Sequence, residues 1–184
     1  MDRLWNVKIA GIGHYLPREV VTSAEIERVA DLPAGFGARN SGVWERRRAD
    51  QEAGETPTWM GAQAALEACR DAGIEPSDLD LIINASGTPE QAIPDNAPLI
   101  QRHMDLGNSG IQSFSVHATC LSFLIGFETA AERLQSGRVD RVLIVSTEVA
   151  HPGLSTEPEV ATLFGDAAAA VVLTRTPAGE GSAV

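Results

Sequence analysis

Five short apolar or alternating runs, separated by segments of helical period, constrain this chain more than any other feature. The runs are Val7 to Gly11 (VKIAG), Leu79 to Ala85 (LDLIINA), Ile111 to Val116 (IQSFSV), Val142 to Ser146, and Ala167 to Leu173 (AAAAVVL). Between them the spacing predicts helices over Ser23 to Ala30, Trp59 to Ala72, Ala97 to Leu106 and Ser122 to Ser136. Apolar strands joined through helices give α/β layers around a mostly parallel or mixed sheet.

Local chemistry sets the boundaries. Ser23 is placed to cap its helix, with Glu25 and Glu27 in the first turn, where the dipole favours acid. Ala62, Leu66, Cys69 and Ala72 share one face of the second helix, so Cys69 belongs to an apolar stripe. Gly137 is placed to cap the end of the fourth helix. Gly11 and Gly13 are expected to break the first strand and turn the chain towards Pro17. A dinucleotide fingerprint does not fit there, because Leu16 holds the third glycine position and no helix opens. From Asp31 to Glu55 no period is sustained, which predicts a surface loop with one positive patch, Arg46-Arg47-Arg48. Such a patch suits a solvated face, or it attracts a phosphate or an acidic carrier protein. A further loop is expected from Pro152 to Pro158, and a turn at Phe164-Gly165-Asp166.

The chain carries 14 Lys plus Arg against 25 Asp plus Glu, a net charge of −11, which excludes a generic nucleic-acid binder. Its 184 residues suit one domain with a sizeable core. The run from Ala167 to Leu173 falls far short of the roughly 20 residues that span a bilayer, and the start, Met1 to Gly13, lacks the apolar length of a signal peptide. A cytoplasmic protein without a membrane partner is expected. Cys69 and Cys120 lie in different kinds of segment and are read as reduced thiols.

Cys120 falls on the joint between a strand and the helix from Ser122. The positive end of a helix dipole and its unpaired N–H groups favour a thiolate and hold an oxyanion, which suits an acyl-accepting nucleophile. The small neighbours Ala118 and Thr119 allow a tight turn. The same residue equally suits a small core position, since free cysteine is among the most buried types. His14, His103, His117 and His151 are the imidazoles on offer, and local sequence pairs none of them with the thiol. His117 is read as packing at a strand end, the other three as solvated loop or helix-end residues. No second ligand pair follows His117 at zinc-like spacing, so no metal site is expected.

Taken together these segments resemble the amino-terminal half of a β-ketoacyl-acyl-carrier-protein synthase III, a condensing enzyme of the thiolase superfamily. The resemblance runs in order through VKIAGIGHYLP (Val7 to Pro17), NSGVWERRRA (Asn40 to Ala49), MGAQAALEACRDAGI (Met60 to Ile74) and DLDLIINASGTPE (Asp78 to Glu90). It continues in FSVHATCLSFLIGFETAAERLQSG (Phe114 to Gly137), VLIVSTE (Val142 to Glu148) and FGDAAAAVVL (Phe164 to Leu173). It implies one half of a layered αβαβα fold, with a mixed sheet flanked by helices. Residues 1–174 would form that half and 175–184 the start of a link to a carboxy-terminal half. The family's acyl-accepting cysteine corresponds to Cys120. Its catalytic His and Asn, which activate the malonyl-carrier nucleophile and assist decarboxylation, come from the second half. The resemblance therefore implies a companion half, as more of the same gene product or as a separate chain.

The resemblance also implies a contact for acyl-CoA or carrier phosphopantetheine at Phe36, Asn40 and Arg46. Phe36 stands where the family stacks a tryptophan on CoA, and Asn40 where it often carries a phosphate-binding arginine. The second arginine beside the adenine falls near His151 and Pro152. Those lost charges weaken acyl-CoA as donor and leave room for a carrier-protein thioester. Ile93 replaces an aromatic residue that reaches across the family's dimer interface to limit acyl length, which implies a pocket for a longer or branched acyl group. The thioester is a substrate, and no permanently bound cofactor is implied. A homodimer of the whole fold through Ile111 to Val116, with an acyl carrier protein as partner, follows from the same source. Two other functions stay open: acyl transfer to an alcohol, amine or water, and a non-catalytic half that pairs with an active subunit. The presence of Cys120 counts against the second.

Overall fold

A computed structural model describes residues 5–150 and 158–182. Its first strand, β1 (Val7–Tyr15), runs through both glycines, burying Val7, Gly11 and Gly13 while Ile9, Ile12 and His14 face outward. Close approach requires those glycines, because β1 lies directly on helix α3 (Pro57–Asp71). A Cβ on Gly11 would stand 2.3 Å from the Ala68 carbonyl oxygen, and one on Gly13 would stand 2.1 Å from that of Ala64. The expected strand break is therefore corrected. Gly11 and Gly13 sit inside a strand, with an irregular register between Ile9 and Gly11, and serve a backbone-to-helix contact instead of a turn. The helix answers with small residues, Ala62, Ala64, Ala65 and Ala68 being fully buried.

The main sheet has the order β1, β7 (Ala167–Arg175), β6 (Arg141–Glu148), β4 (Leu81–Asn84), β5 (Gln112–Ser115). β7 is antiparallel to both β1 and β6, while β4 is parallel to both β6 and β5, so the sheet is mixed as expected. Ile82, Leu143, Val145 and Val172 pack towards α3 and α4 (Asn96–His103), and Leu81, Ile83, Val142, Ile144 and Leu173 pack towards α5 (Ser122–Gln135). All four β4 residues are buried, the mark of a strand covered on both faces. The chain leaves β4 through α4 on one face to reach β5, then returns through α5 on the other face to reach β6.

The stretch from Asp31 to Glu55 is not the unstructured loop that its lost periodicity predicts. It holds α2 (Phe36–Ser41), bounded by left-handed Gly35 and Gly42, and β3 (Glu45–Arg48), which pairs antiparallel with β2 (Glu19–Thr22). Nor is the arginine triplet a uniformly solvated patch, since Arg46 is only 9% exposed beside the exposed Glu45. Helix α1 (Ser23–Val29) is capped by Thr22, not Ser23. Thr22 Oγ1 accepts the Glu25 N–H, the Glu25 carboxylate accepts the Thr22 N–H, and the Ser23 hydroxyl donates to the Val43 carbonyl. Residues 152–157 of the expected Pro152–Pro158 loop lie outside the described residues, and Pro158 opens the short helix α6 (Pro158–Ala161). β7 extends one residue past position 174, and the Lys8–Glu180 ion pair at 2.9 Å holds the following segment beside β1. No helix among the described residues is long and apolar enough to cross a membrane.

Gly13→Ala is expected to lower stability by about 1–3 kcal/mol or more, because neither the strand nor the Ala64 carbonyl can yield without moving α3. Gly107→Ala, which meets nothing within 4 Å, serves as the near-neutral reference. Denaturant unfolding of both variants checks the difference.

Candidate active site

The parallel strands β5, β4 and β6 end at one edge, and the two crossovers leave from it on opposite faces; such a point is where α/β sheets open a crevice. Three buried polar side chains tie this edge together: Asn84, Ser86 and Thr147. Asn84 Nδ2 donates to Ser115 Oγ at 2.9 Å, and Ser86 Oγ donates to Asn84 Oδ1 at 2.5 Å. The Thr147 N–H reaches Ser86 Oγ at 3.0 Å, and the Thr147 hydroxyl donates to the Pro57 carbonyl at the start of α3, 2.7 Å away. Strands β4, β5 and β6 and helix α3 are thus joined by bonds that each satisfy a buried group.

Beyond β5 the chain passes through Val116, His117 and Ala118 and enters α5 by a single 3-10 turn, Thr119–Leu121. Thr119 has a φ of 53°, a left-handed conformation that a β-branched residue adopts only at a cost. Ser122 straps the turn: its Oγ accepts the Ala118 N–H at 2.9 Å and donates to the Thr119 carbonyl at 2.7 Å. Cys120 rides on this turn and is exposed, so it is not a core residue in this chain. The core thiol is Cys69, 1% exposed, whose pKa is pushed up to about 11, first by burial and then by Asp78 and Glu75. The two cysteines differ in kind, Cys69 sealed on its apolar stripe as expected and Cys120 open at the strand-to-helix joint.

His117 is exposed, with Nδ1 3.4 Å from the Ser86 carbonyl, at the strand end where it was expected. His14 is exposed but lies on a strand instead of a loop, its Nδ1 3.2 Å from the Glu67 carboxylate. His103 closes α4, and His151 lies outside the described residues. Among the described residues no three of His, Cys, Asp or Glu converge as metal ligands.

Phe36 and Asn40 share helix α2, the first half-buried and the second exposed. Arg46 turns the other way, under α1: its Nη2 donates to Ser23 Oγ at 2.8 Å and to the Thr162 carbonyl at 2.6 Å. Ile93 is 88% exposed on the loop between β4 and α4. Three side chains that the sequence reading passed over brace that loop. Glu148 accepts the Gly87 N–H and the Thr88 hydroxyl, Asn96 accepts the Glu90 N–H and donates to the Thr88 carbonyl, and Glu90 accepts from Thr58. The one sequence signal for them is the polar ending that Ser146, Thr147 and Glu148 put on an otherwise apolar strand.

The family model described as 3-Oxoacyl-[acyl-carrier-protein (ACP)] synthase III matches residues 114–184, from the end of β5 through the Cys120 turn. The chain is a relative of beta-ketoacyl-[acyl-carrier-protein] synthase III. It is 37% identical over 169 residues to that protein of Aquifex aeolicus, covering 91% of this chain and 53% of the relative. The crystal structure of 3-oxoacyl-[acyl-carrier-protein] synthase III from Aquifex aeolicus superposes with a TM-score of 0.84 at 36% identity, over 92% of this chain and 54% of that one. The priming beta-ketosynthase from the R1128 polyketide biosynthetic pathway superposes with a TM-score of 0.82 at 26% identity, over 95% and 52%. The chain therefore spans about half the length of the relatives it matches, and its layered α/β architecture is the expected thiolase-like one.

Two outcomes are expected at the turn. Iodoacetamide at pH 8 labels Cys120 in the native protein and Cys69 only after denaturation, read by peptide mass; equal native labelling of both would contradict the sealed core. Ser122→Ala leaves the Ala118 N–H unpaired and costs about 1–3 kcal/mol in denaturant unfolding.

Proposed function

We propose that this chain forms the acyl-accepting half of a condensing enzyme, with Cys120 as the nucleophile. The observation that carries the reading is the exposed thiol on a strained strand-to-helix turn, at the edge where the parallel strands end, in a relative of beta-ketoacyl-[acyl-carrier-protein] synthase III. The Cys120 thiolate attacks the carbonyl of an acyl thioester, and negative charge develops on that oxygen. Backbone N–H groups at the turn stabilise the charge. Collapse expels the donor thiolate, which takes up the proton that Cys120 gave up, and leaves the acyl group on Sγ. A malonyl-type thioester then loses carbon dioxide. Its carbanion attacks the acyl carbonyl, forms the carbon–carbon bond and returns the Cys120 thiolate.

The His and Asn that assist decarboxylation belong, in this reading, to a carboxy-terminal half. The surface of α5 supports such a companion. Leu121, Phe123, Leu124 and Ile125 are 57%, 36%, 60% and 41% exposed, and fully covering each such side chain is worth about 1.5–3 kcal/mol. Phe36 and Asn40 are the proposed contacts for the donor's CoA or carrier phosphopantetheine. Arg46 supports them from beneath, because its guanidinium is already held by Ser23 and Thr162. Ile93, projecting from a braced loop, is the proposed wall of the acyl pocket in a homodimer. The proposed setting is cytoplasmic, with an acyl carrier protein as partner in fatty-acid or polyketide-type synthesis. The likeness to the priming beta-ketosynthase of the R1128 polyketide biosynthetic pathway supports the polyketide arm.

Incubation with an acyl thioester is expected to add acyl mass to Cys120 and none to Cys120→Ala. With a malonyl thioester and the complete protein, carbon dioxide release should fall by on the order of 10³-fold or more in that variant. Acyl transfer without carbon dioxide release would favour a non-condensing transferase. No adduct in the complete protein would favour a scaffold. Ile93→Phe is expected to lower kcat/KM for long acyl donors by about tenfold and to leave short ones unchanged, measured across a chain-length series.

A further inference from the structure

Helix α1 and the β2–β3 hairpin enclose a cavity of about 330 Å³ that Phe164 helps to close. Cys120, Phe36 and Asn40 do not line it, while Arg46, which supports the proposed donor contacts, does. Arg46 and Arg48 lie two apart on β3 and share the strand face turned to α1, while Arg28 reaches the cavity from the last turn of α1. Arg47 also borders it, but donates to the Pro17 carbonyl at 3.1 Å.

The balance of charge around this cavity is unusual for a chain of net charge −11. Arg46 is nine-tenths buried, and its guanidinium donates to neutral groups: Ser23 Oγ and the carbonyls of Thr162 and Val21. Its Nε is buried without a hydrogen-bond partner. None of the ion pairs among the described residues involves Arg28, Arg46 or Arg48. The nearby carboxylates, Glu25 beside Arg28 and Arg48 and Glu27 near Arg46, act only at a distance and spend their hydrogen bonds elsewhere. Glu25 is held by Thr22 as the cap of α1, Glu27 accepts the N–H groups of Gly35 and Gly37, and Glu19 is exposed. Burial and then the neighbouring Arg48 push the Arg46 pKa down, with Glu27 opposing them. A buried cation is stable when an anion meets it, and among the described residues no carboxylate forms an ion pair with Arg46.

We propose that this cavity is a binding site for a small phosphorylated molecule. Its phosphate sits between Arg28 and Arg48 in the field of Arg46, and its apolar part rests on Val20, Ile26, Val29 and Phe164. Guanidinium forks match phosphate oxygens in pairs, and a doubly charged phosphate monoester offsets the excess of arginine better than a singly charged carboxylate. The volume lies at the small end of ligand pockets.

Calorimetric titration of the complete protein with inorganic phosphate, at constant ionic strength with chloride as control, tests the site. Saturable binding is expected, weakened about tenfold or more in the Arg28→Gln/Arg48→Gln double variant. The rate of Cys120 alkylation should stay unchanged in that variant, showing that the fold and the thiol turn are intact. Displacement of phosphate by coenzyme A would assign the occupant to the phosphate of an acyl donor, and failure to displace it would assign a separate phosphorylated ligand; either outcome keeps the site. No saturable binding, equal affinity in the double variant, or tighter binding of octanoate than of phosphate overturns it.

Discussion

The contact between the β1 glycines and the α3 alanines sets the rest of the geometry. Backbone meets backbone there, with no side chain between Gly13 and the Ala64 carbonyl, so the helix axis is held close to the sheet. That placement carries the first turn of α3 to the edge where the parallel strands end. The Pro57 carbonyl there takes the Thr147 hydroxyl, and Thr58 takes the Glu90 carboxylate. Any shift of α3 would pull on β6 and on the Ile93 loop together. The close packing of small residues is therefore a condition for the site and not only for the core.

At that edge two kinds of constraint meet. The relay through Ser115, Asn84, Ser86 and Thr147 fixes the spacing of the strand ends, while Ser122 bridges both sides of the turn that presents Cys120. The left-handed Thr119 is strained by itself, and it persists because Ser122 and the Leu121 N–H to Ala118 carbonyl bond over-determine the turn. A thiol held in this way spends little further entropy on reaching its attacking geometry.

Much of this was legible in the residues, and what was hidden had a common cause. The LIIN core of β4, the alanine face of α3, the Gly137 end of α5 and the joint at Cys120 all follow from periods and caps. Gly11 and Gly13 misled because a glycine read alone signals a turn, while its use here depends on a helix some 50 residues later in the chain. The Arg46 position was hidden in the same way: three arginines in a row read as solvated until the pairing of β3 with β2 turns one of them under α1. Thr22 and Glu25, by contrast, form a capping pair at the right spacing, and that signal was present but assigned one residue late. The helical stripe through Ala62, Leu66 and Cys69 marks Cys69 as the sealed thiol, whereas the exposure of Cys120 depends on tertiary burial, which no local pattern carries.

The side chains of α5 are sorted by size as well as by polarity. Towards its own sheet the helix presents Ser122, Gly126 and Ala130, with a Cβ on Gly126 standing 3.5 Å from Ala85. The bulky residues of its first two turns, among them Phe123, Leu124 and Ile125, point away from the sheet, and Glu128 and Glu132 follow only further along. A helix apolar on every side is one that is covered on every side. The opening turns of α5 therefore have the form of a central layer, and the relatives are about twice the span matched here. Cys120 stands at the mouth of that helix, beside its uncovered apolar side chains. Among the described residues the turn that sets this thiol is built by this chain alone, through Ser122 and the left-handed Thr119.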